Sequence, residues 1–289
     1  VTIMTINPII TAAEAVALHG KSGTVFADAT FHLPTAGRNA LEEYNQERID
    51  GAVFFNIDTI VAPDSDQPHP MPDAATFEVH MRGLGINKGD LVIVYDRSIF
   101  YSGARAWYML RLFGHAEVRV LNGGFDAWRD AGGPVSNATP APLPKGNFTA
   151  SASLGDNAII LIDDMKSIIG MPDDQRSFQV IDARAAGRFK GEAAEPRPGL
   201  RAGHMPGAVN IPIGSLINPD NGYLKEKDEL EAIFKGIDPA KPIITTCGSG
   251  VTACGLALGL NIIGVDGITV YDGSWSEWGS RADCPIATG

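Results

Sequence analysis

Six consecutive residues, Cys247–Gly248–Ser249–Gly250–Val251–Thr252, combine a thiol, two glycines and two hydroxyls. A β-branched run, Ile243–Thr246, precedes them and reads as a buried strand; an apolar helical pattern from Val251 to Ile263 follows. A cysteine at such a strand-to-helix turn lies under backbone N–H groups that have no partner within the helix. Those groups, with the positive end of the helix dipole, favour a thiolate over a thiol. Gly248 and Gly250 lack the Cβ atoms that would keep the backbone from curling round the sulfur, so the amides can form a nest for an anion. The chemistry this suits is nucleophilic attack by sulfur. Lone cysteines more often end in a core, but the strand–C-G-S-G-V-T–helix context favours the nucleophile.

The elements that must position this loop belong to a chain of 289 residues, enough for two domains of ordinary size. Hydrophobic content of 44% and charged content of 20% place it among folded globular chains rather than disordered ones. No apolar run approaches the roughly 20 residues needed to span a bilayer, so no membrane partner is expected. The stretch from Val1 to Ala17 lacks a basic n-region and a continuous apolar core, so it reads as no secretory signal. A net charge of −11 without a basic stripe argues against nucleic-acid binding. An acidic protein that handles an anionic substrate must concentrate positive charge locally. Three cysteines, Cys247, Cys254 and Cys284, make no disulfide framework, and no Cys/His set has metal-ligand spacing, so no metal or other cofactor is expected. The natural compartment is a reducing cytoplasm. Cys254, on the apolar helix face, reads as packing, whereas Cys284, near the C-terminus, reads as a thiol that could be exposed.

In chain order, Thr24–Asp28 reads as a short strand and 38–44 as a helix. The stretch 51–56 is extended, and Asp58 to Pro72, with four prolines, is a loop. A helix opens at Asp73–Ala74, a strand runs from Asp90 to Tyr95, and a helix capped by Ser102 runs to Phe113. A strand over 117–121 leads to the Gly123–Gly124 turn and a short helix carrying Trp128. The second half repeats this plan. Val180–Arg184 echoes the strand ending at Asp28, and 205–210 echoes 49–54. The strand into Cys247 echoes that into Asp96, and Tyr271–Trp278 echoes Leu121–Trp128, all at an offset of about 150 residues. Such order marks a tandem duplication of an α/β unit with a mainly parallel sheet. Gly132–Ala150, with Pro134, Pro140, Pro142 and Pro144, reads as a semi-extended connection. This gives domains at 1–138 and 151–289 with a linker over 139–150. The first copy ends its equivalent strand in Tyr95–Asp96–Arg97–Ser98, with no sulfur nucleophile, so only the second is expected to be catalytic.

The tandem unit, the strand ending in Asp182–Ala183–Arg184, the segment Gly203–His204–Met205–Pro206–Gly207–Ala208 and the stretch Asp272–Trp278 resemble the rhodanese-like sulfurtransferases over nearly the whole chain. The resemblance implies two tandem rhodanese-like domains, each a mainly parallel sheet flanked by helices. The neutral Gly248–Ser249 pair is similar to the loop of the branch that uses 3-mercaptopyruvate; thiosulfate-preferring relatives carry basic residues there. The family match assigns Arg188 and Arg197 to the substrate carboxylate and ketone, a task suited to the planar, permanently charged guanidinium. It assigns the amides of Gly248, Gly250, Val251 and Thr252 to a persulfide on Cys247. It further implies a relay of Ser249, His69 and Asp58, the last two from the first copy. Pro70 departs from the family pattern and restricts His69 toward extended backbone. The implied reaction moves sulfur from 3-mercaptopyruvate through Cys247 to cyanide or a thiol acceptor, such as thioredoxin or a low-molecular thiol, with release of pyruvate. His204 is expected at a structural turn, and Trp107, Trp128, Trp275 and Trp278 as core or interdomain anchors.

Three other functions bear comparison. A thiosulfate sulfurtransferase differs only in donor. A phosphatase on this fold needs an arginine closing the loop, where this chain has Ala253. A non-enzymatic persulfide carrier would not need both arginines.

Overall fold

The computed structural model describes residues 7–151, 158–172 and 175–289. Residues 1–6, part of the stretch read for a signal, lie outside the described residues. The first half runs β1 (Ile9–Ile10), α1 (Ala12–Leu18), β2 (Thr24–Asp28), α2 (Ala40–Gln46), β3 (Arg48–Ile49), β4 (Val53–Phe54), α3 (Ala74–Gly83), β5 (Leu91–Tyr95), α4 (Gly103–Leu112), β6 (Val118–Leu121), α5 (Gly124–Asp130) and β7 (Val135–Ser136). The second half runs β8 (Ile159–Ile160), α6 (Ile162–Ile169), β9 (Gln179–Asp182), α7 (Ala186–Lys190), β10 (Val209–Asn210), α8 (Lys227–Ile233), β11 (Ile243–Thr246), α9 (Val251–Ile262), β12 (Thr269–Tyr271) and α10 (Ser274–Trp278).

Each half forms a five-stranded parallel sheet. The orders are β1-β6-β5-β2-β4 and β8-β12-β11-β9-β10, the same path traced twice. Parallel neighbours need crossovers, which the helices supply while covering the sheet faces. The strand ahead of the loop, β11, lies centrally between β9 and β12, so Cys247 emerges at the carboxyl edge of the sheet, where open α/β folds place ligands. No helix among the described residues is long and apolar enough to cross a membrane.

The two halves share a core. The helix α9 is apolar on all sides and buried from Val251 to Asn261 apart from Thr252, as such a helix must be. It packs against α4, itself buried from Gly103 to Leu110. One apolar cluster runs from Phe31, Trp107 and Tyr108 of the first half to Leu256, Leu258 and Leu260 of the second. Trp128 anchors a cluster in the first half, and Trp275 and Trp278 one in the second.

Two expectations are corrected. Ser102 does not cap α4 with its side chain. Its hydroxyl is instead committed to the Ala29 carbonyl (2.8 Å) and the Phe31 amide (3.1 Å), while Asp96 Oδ2 accepts the Gly103 N–H at 2.8 Å. Cys284 is buried against Trp275, Trp278 and Met165, because the chain after α10 folds back over them. The connection between the halves is held at two points: β7 pairs with β3, and Phe148, 1% exposed, joins the core beside Phe77. His204 fits its structural reading, with Nδ1 2.8 Å from the Phe189 carbonyl and its ring stacked on Phe189.

Candidate active site

Cys247 follows β11 directly and is 2% exposed. The Gly250 N–H donates to its Sγ at 3.1 Å. That orientation has a cause in the neighbouring turn. The Trp275 and Ser276 amides of α10 donate to the Cys247 and Gly248 carbonyls at 2.9 and 2.8 Å, and the Ser276 hydroxyl adds a 2.6 Å bond to the latter. With those carbonyls held outward, the loop turns its amide edge toward the sulfur, the geometry of an anion nest. Gly250 has φ 82, where a side chain would be strained, and a Cβ there would meet the Asp272 carbonyl at 3.1 Å.

The duplication makes an internal control. In the first copy Asp96 occupies the place of Cys247, and its carboxylate accepts the Ser98 amide, the Ser98 hydroxyl and the Gly103 amide at 2.8, 2.6 and 2.8 Å. Burial raises its pKa to about 6 against those bonds. The first copy thus fills its own anion nest with a side chain.

A cavity of about 260 Å³ opens above Cys247, lined by Gly248, Ser249, Val251 and Thr252 of the loop and by Arg184, Arg188 and Arg197. Its opposite wall is apolar and comes from the first half: Phe31, Leu33, Ile99 and Phe100. Both predicted arginines are therefore brought to the sulfur. Arg188 is tied to Glu195 through Nε (3.2 Å) and Nη2 (2.5 Å). The other Glu195 oxygen holds Arg184 Nη1 at 2.9 Å, and Arg184 also forks onto Asp182. Arg197 makes no hydrogen bond or ion pair with another described residue. Burial holds its guanidinium below the ordinary value, with Cys247 opposing and Arg188 adding to the effect.

The three residues expected to form a relay meet across the interface. His69 Nδ1 lies 2.9 Å from Ser249 Oγ, and its Nε2 lies 2.9 Å from Asp58 Oδ1. The carboxylate at Nε2 sets the tautomer with the proton there, so Nδ1 accepts from the Ser249 hydroxyl. Pro70 leaves this geometry intact. The imidazole is buried, edge-on to Phe31, while the Asp58 side chain is 65% exposed, so the chain of bonds leads from the sulfur loop to water. Burial holds the His69 pKa below 6.5; the Asp58 hydrogen bond opposes this, and Arg105 and Arg197 reinforce it.

Sequence reasoning missed Glu195, Arg105, Asp272 and Ser274. The last carried a signal. At the position of Gly124 (φ 59) in the first copy the second has Ser274 at φ 49, a left-handed conformation that costs a serine roughly 1 kcal/mol or more. The hydroxyl gained by that substitution accepts the Cys247 N–H at 3.2 Å and donates to the Tyr271 carbonyl at 2.9 Å.

The Rhodanese-like domain family matches this chain twice, over residues 12–131 and 161–281. The chain belongs to the rhodanese family. It is 43% identical over 251 residues to the 3-mercaptopyruvate sulfurtransferase of Escherichia coli K12, covering 86% of each chain. It is 40% identical over 259 residues to the 3-mercaptopyruvate sulfurtransferase of Mus musculus, covering 88% of this chain and 84% of that one. Among solved structures, SseA from Escherichia coli, a 3-mercaptopyruvate sulfotransferase, superposes with a TM-score of 0.82 at 37% identity, over 93% of this chain and 99% of that one. With such relatives over most of its length, this rhodanese is a sulfurtransferase. For it, Ser274→Gly is expected to leave the melting temperature within a few degrees, since relieved strain offsets the lost hydrogen bonds. Turnover should fall about tenfold, the equivalent of one hydrogen bond of ~1.4 kcal/mol. Thermal denaturation beside steady-state kinetics checks both.

Proposed function

We propose that this chain takes the sulfur of 3-mercaptopyruvate onto Cys247 and passes it to a thiol acceptor or cyanide, releasing pyruvate. The observation that carries this reading is one cavity that holds a buried cysteine with an amide on its sulfur together with Arg197, which has no partner among the described residues, and whose Ser249 is bonded from behind by His69. The substrate carboxylate is a single charge several bonds from the reacting sulfur, and Arg188 and Arg197 stand at the cavity wall rather than in the loop. A dianion with charge next to the sulfur would need cations at positions 248 and 249, which are glycine and serine.

The Cys247 thiolate attacks the substrate sulfur, an S–S bond forms, and the C–S bond breaks with its electron pair on carbon. That leaves the enolate of pyruvate and a Cys247 persulfide. The proton of the substrate thiol, moved by way of Ser249 and His69, quenches the enolate at carbon, and the persulfide remains as an anion beside the amides of Gly248, Gly250, Val251 and Thr252. An acceptor thiolate then attacks the outer sulfur and Cys247 leaves as thiolate, which closes a ping-pong cycle. The acceptor is proposed to be thioredoxin or a low-molecular thiol, in the reducing cytoplasm that three free cysteines suit. In this scheme the domain over 1–138 is the inactive copy that lends His69 and Asp58, the segment 139–150 is the linker, and 151–289 is the catalytic domain.

The test is a donor comparison: one equivalent of pyruvate per chain should appear in a burst with mercaptopyruvate and no acceptor. Higher kcat/KM with thiosulfate would overturn the donor assignment. Arg197→Met is expected to raise KM for mercaptopyruvate by roughly 10- to 100-fold, the range of a charged hydrogen bond. The change in kcat should be smaller, since the lost contact serves ground state and transition state alike.

A further inference from the structure

Arg105 belongs to α4 of the first half, carries no part of the chemistry above, and is 1% exposed. Its Nη2 donates to the His69 carbonyl at 2.8 Å, and its Nη1 donates to the Gly250 carbonyl at 3.3 Å. One planar fork thus bonds both the segment that carries the relay histidine and the residue whose amide meets the Cys247 sulfur. Asp272 completes the arrangement. Its Oδ1 lies 3.4 Å from Arg105 Nη2, and its Oδ2 accepts the Met71 N–H at 2.7 Å. Cys254 fills the remaining side: its thiol donates to the same Gly250 carbonyl at 3.3 Å and lies 4.0 Å from Arg105 Nη1. Burial pushes that thiol up to about 12, so it serves here as a neutral donor.

We propose that Arg105 is a positioning residue for sulfur transfer, fixing the register of the His69 segment against the Cys247 loop so that the interdomain Ser249–His69 hydrogen bond forms. This rests on the relay reading above. The physical need is plain. Ser249 and His69 come from loops of separate halves, and their 2.9 Å bond tolerates little sliding of one half over the other. A guanidinium bonds two carbonyls at once in fixed geometry, whereas an ammonium does not. The same charge faces His69 together with Arg197, against the carboxylate of Asp58, and it disfavours the imidazolium; Asp272 pairs with Arg105 itself.

The experiment is single-turnover pyruvate release from mercaptopyruvate as a function of pH, with steady-state kinetics, for wild type, Arg105→Lys, Arg105→Met and His69→Ala. Arg105→Met is expected to lower kcat about 100-fold with KM within about threefold, and to move the acid limb of the profile to higher pH as the imidazolium is relieved of a neighbouring cation. Arg105→Lys keeps the charge but loses the fork, so it should leave the limb in place and recover only part of kcat. Should Arg105→Met fail to fold, Arg105→Lys alone decides the matter. Wild-type kcat in Arg105→Lys, or a loss in Arg105→Met confined to KM, would overturn the proposal. A His69→Ala variant with full kcat would instead sink the relay on which it rests.

Discussion

Cys247→Ser is expected to abolish sulfur loading. Wild-type protein treated with mercaptopyruvate should gain the mass of one sulfur atom on the peptide containing Cys247, and the serine variant should gain none. Turnover should fall by a factor on the order of 10⁴ or more, as for removal of other catalytic nucleophiles. The serine is close in size and keeps a group that can accept the Gly250 N–H, so the fold should survive. Neither of the other thiols offers a substitute: Cys254 is buried, pushed up to about 12 and committed to the Gly250 carbonyl, and Cys284 is buried in a separate cluster. Sulfur found on Cys254 or Cys284 in the variant would mean that the nucleophile has been misassigned.

His69→Ala is expected to have the next largest effect, a 10²- to 10⁴-fold loss in the rate of pyruvate release, the usual worth of a positioned acid–base group. Its pH dependence has a definite sign. An imidazolium cannot accept from Ser249, so activity falls as pH falls through the His69 value. Burial sets that value below 6.5, so the wild-type rate should hold past the point where an exposed imidazole would protonate. The same depression acts on stability. Between the folded value and 6.5 the unfolded chain binds more protons, so stability is full above 6.5, declines as pH falls through that window, and levels below it. Single-turnover rates across pH check the first effect, and denaturant midpoints across pH check the second. A His69→Ala profile that retains the wild-type acid limb would assign that limb to another group.

The sequence by itself determined the duplication, the α/β class and the repeated order of elements, and it singled out Cys247 as the candidate nucleophile. These follow from local rules: β-branched runs become buried strands, an all-apolar run becomes an interior helix, and glycines around a cysteine at a strand end mark an anion nest. Asp58, His69, Arg188 and Arg197 were reached only through a family pattern, because nothing in their local spacing links positions 58 and 69 to position 249. The tertiary structure alone decided that these groups meet. It also decided that Arg188 shares its charge with Glu195 while Arg197 stands in the cavity without a partner among the described residues. It assigned Ser102 to the Ala29 carbonyl rather than to a helix cap, and it buried Cys284. Arg105 shows the limit most clearly. In sequence it is one of two cations in a mostly apolar helix, and its meaning lies in two carbonyls, His69 and Gly250, that belong to different domains. Backbone carbonyls occur at every residue, so a bond to one of them leaves no trace in residue type. Only packing α4 against α9 selects which carbonyls the guanidinium reaches.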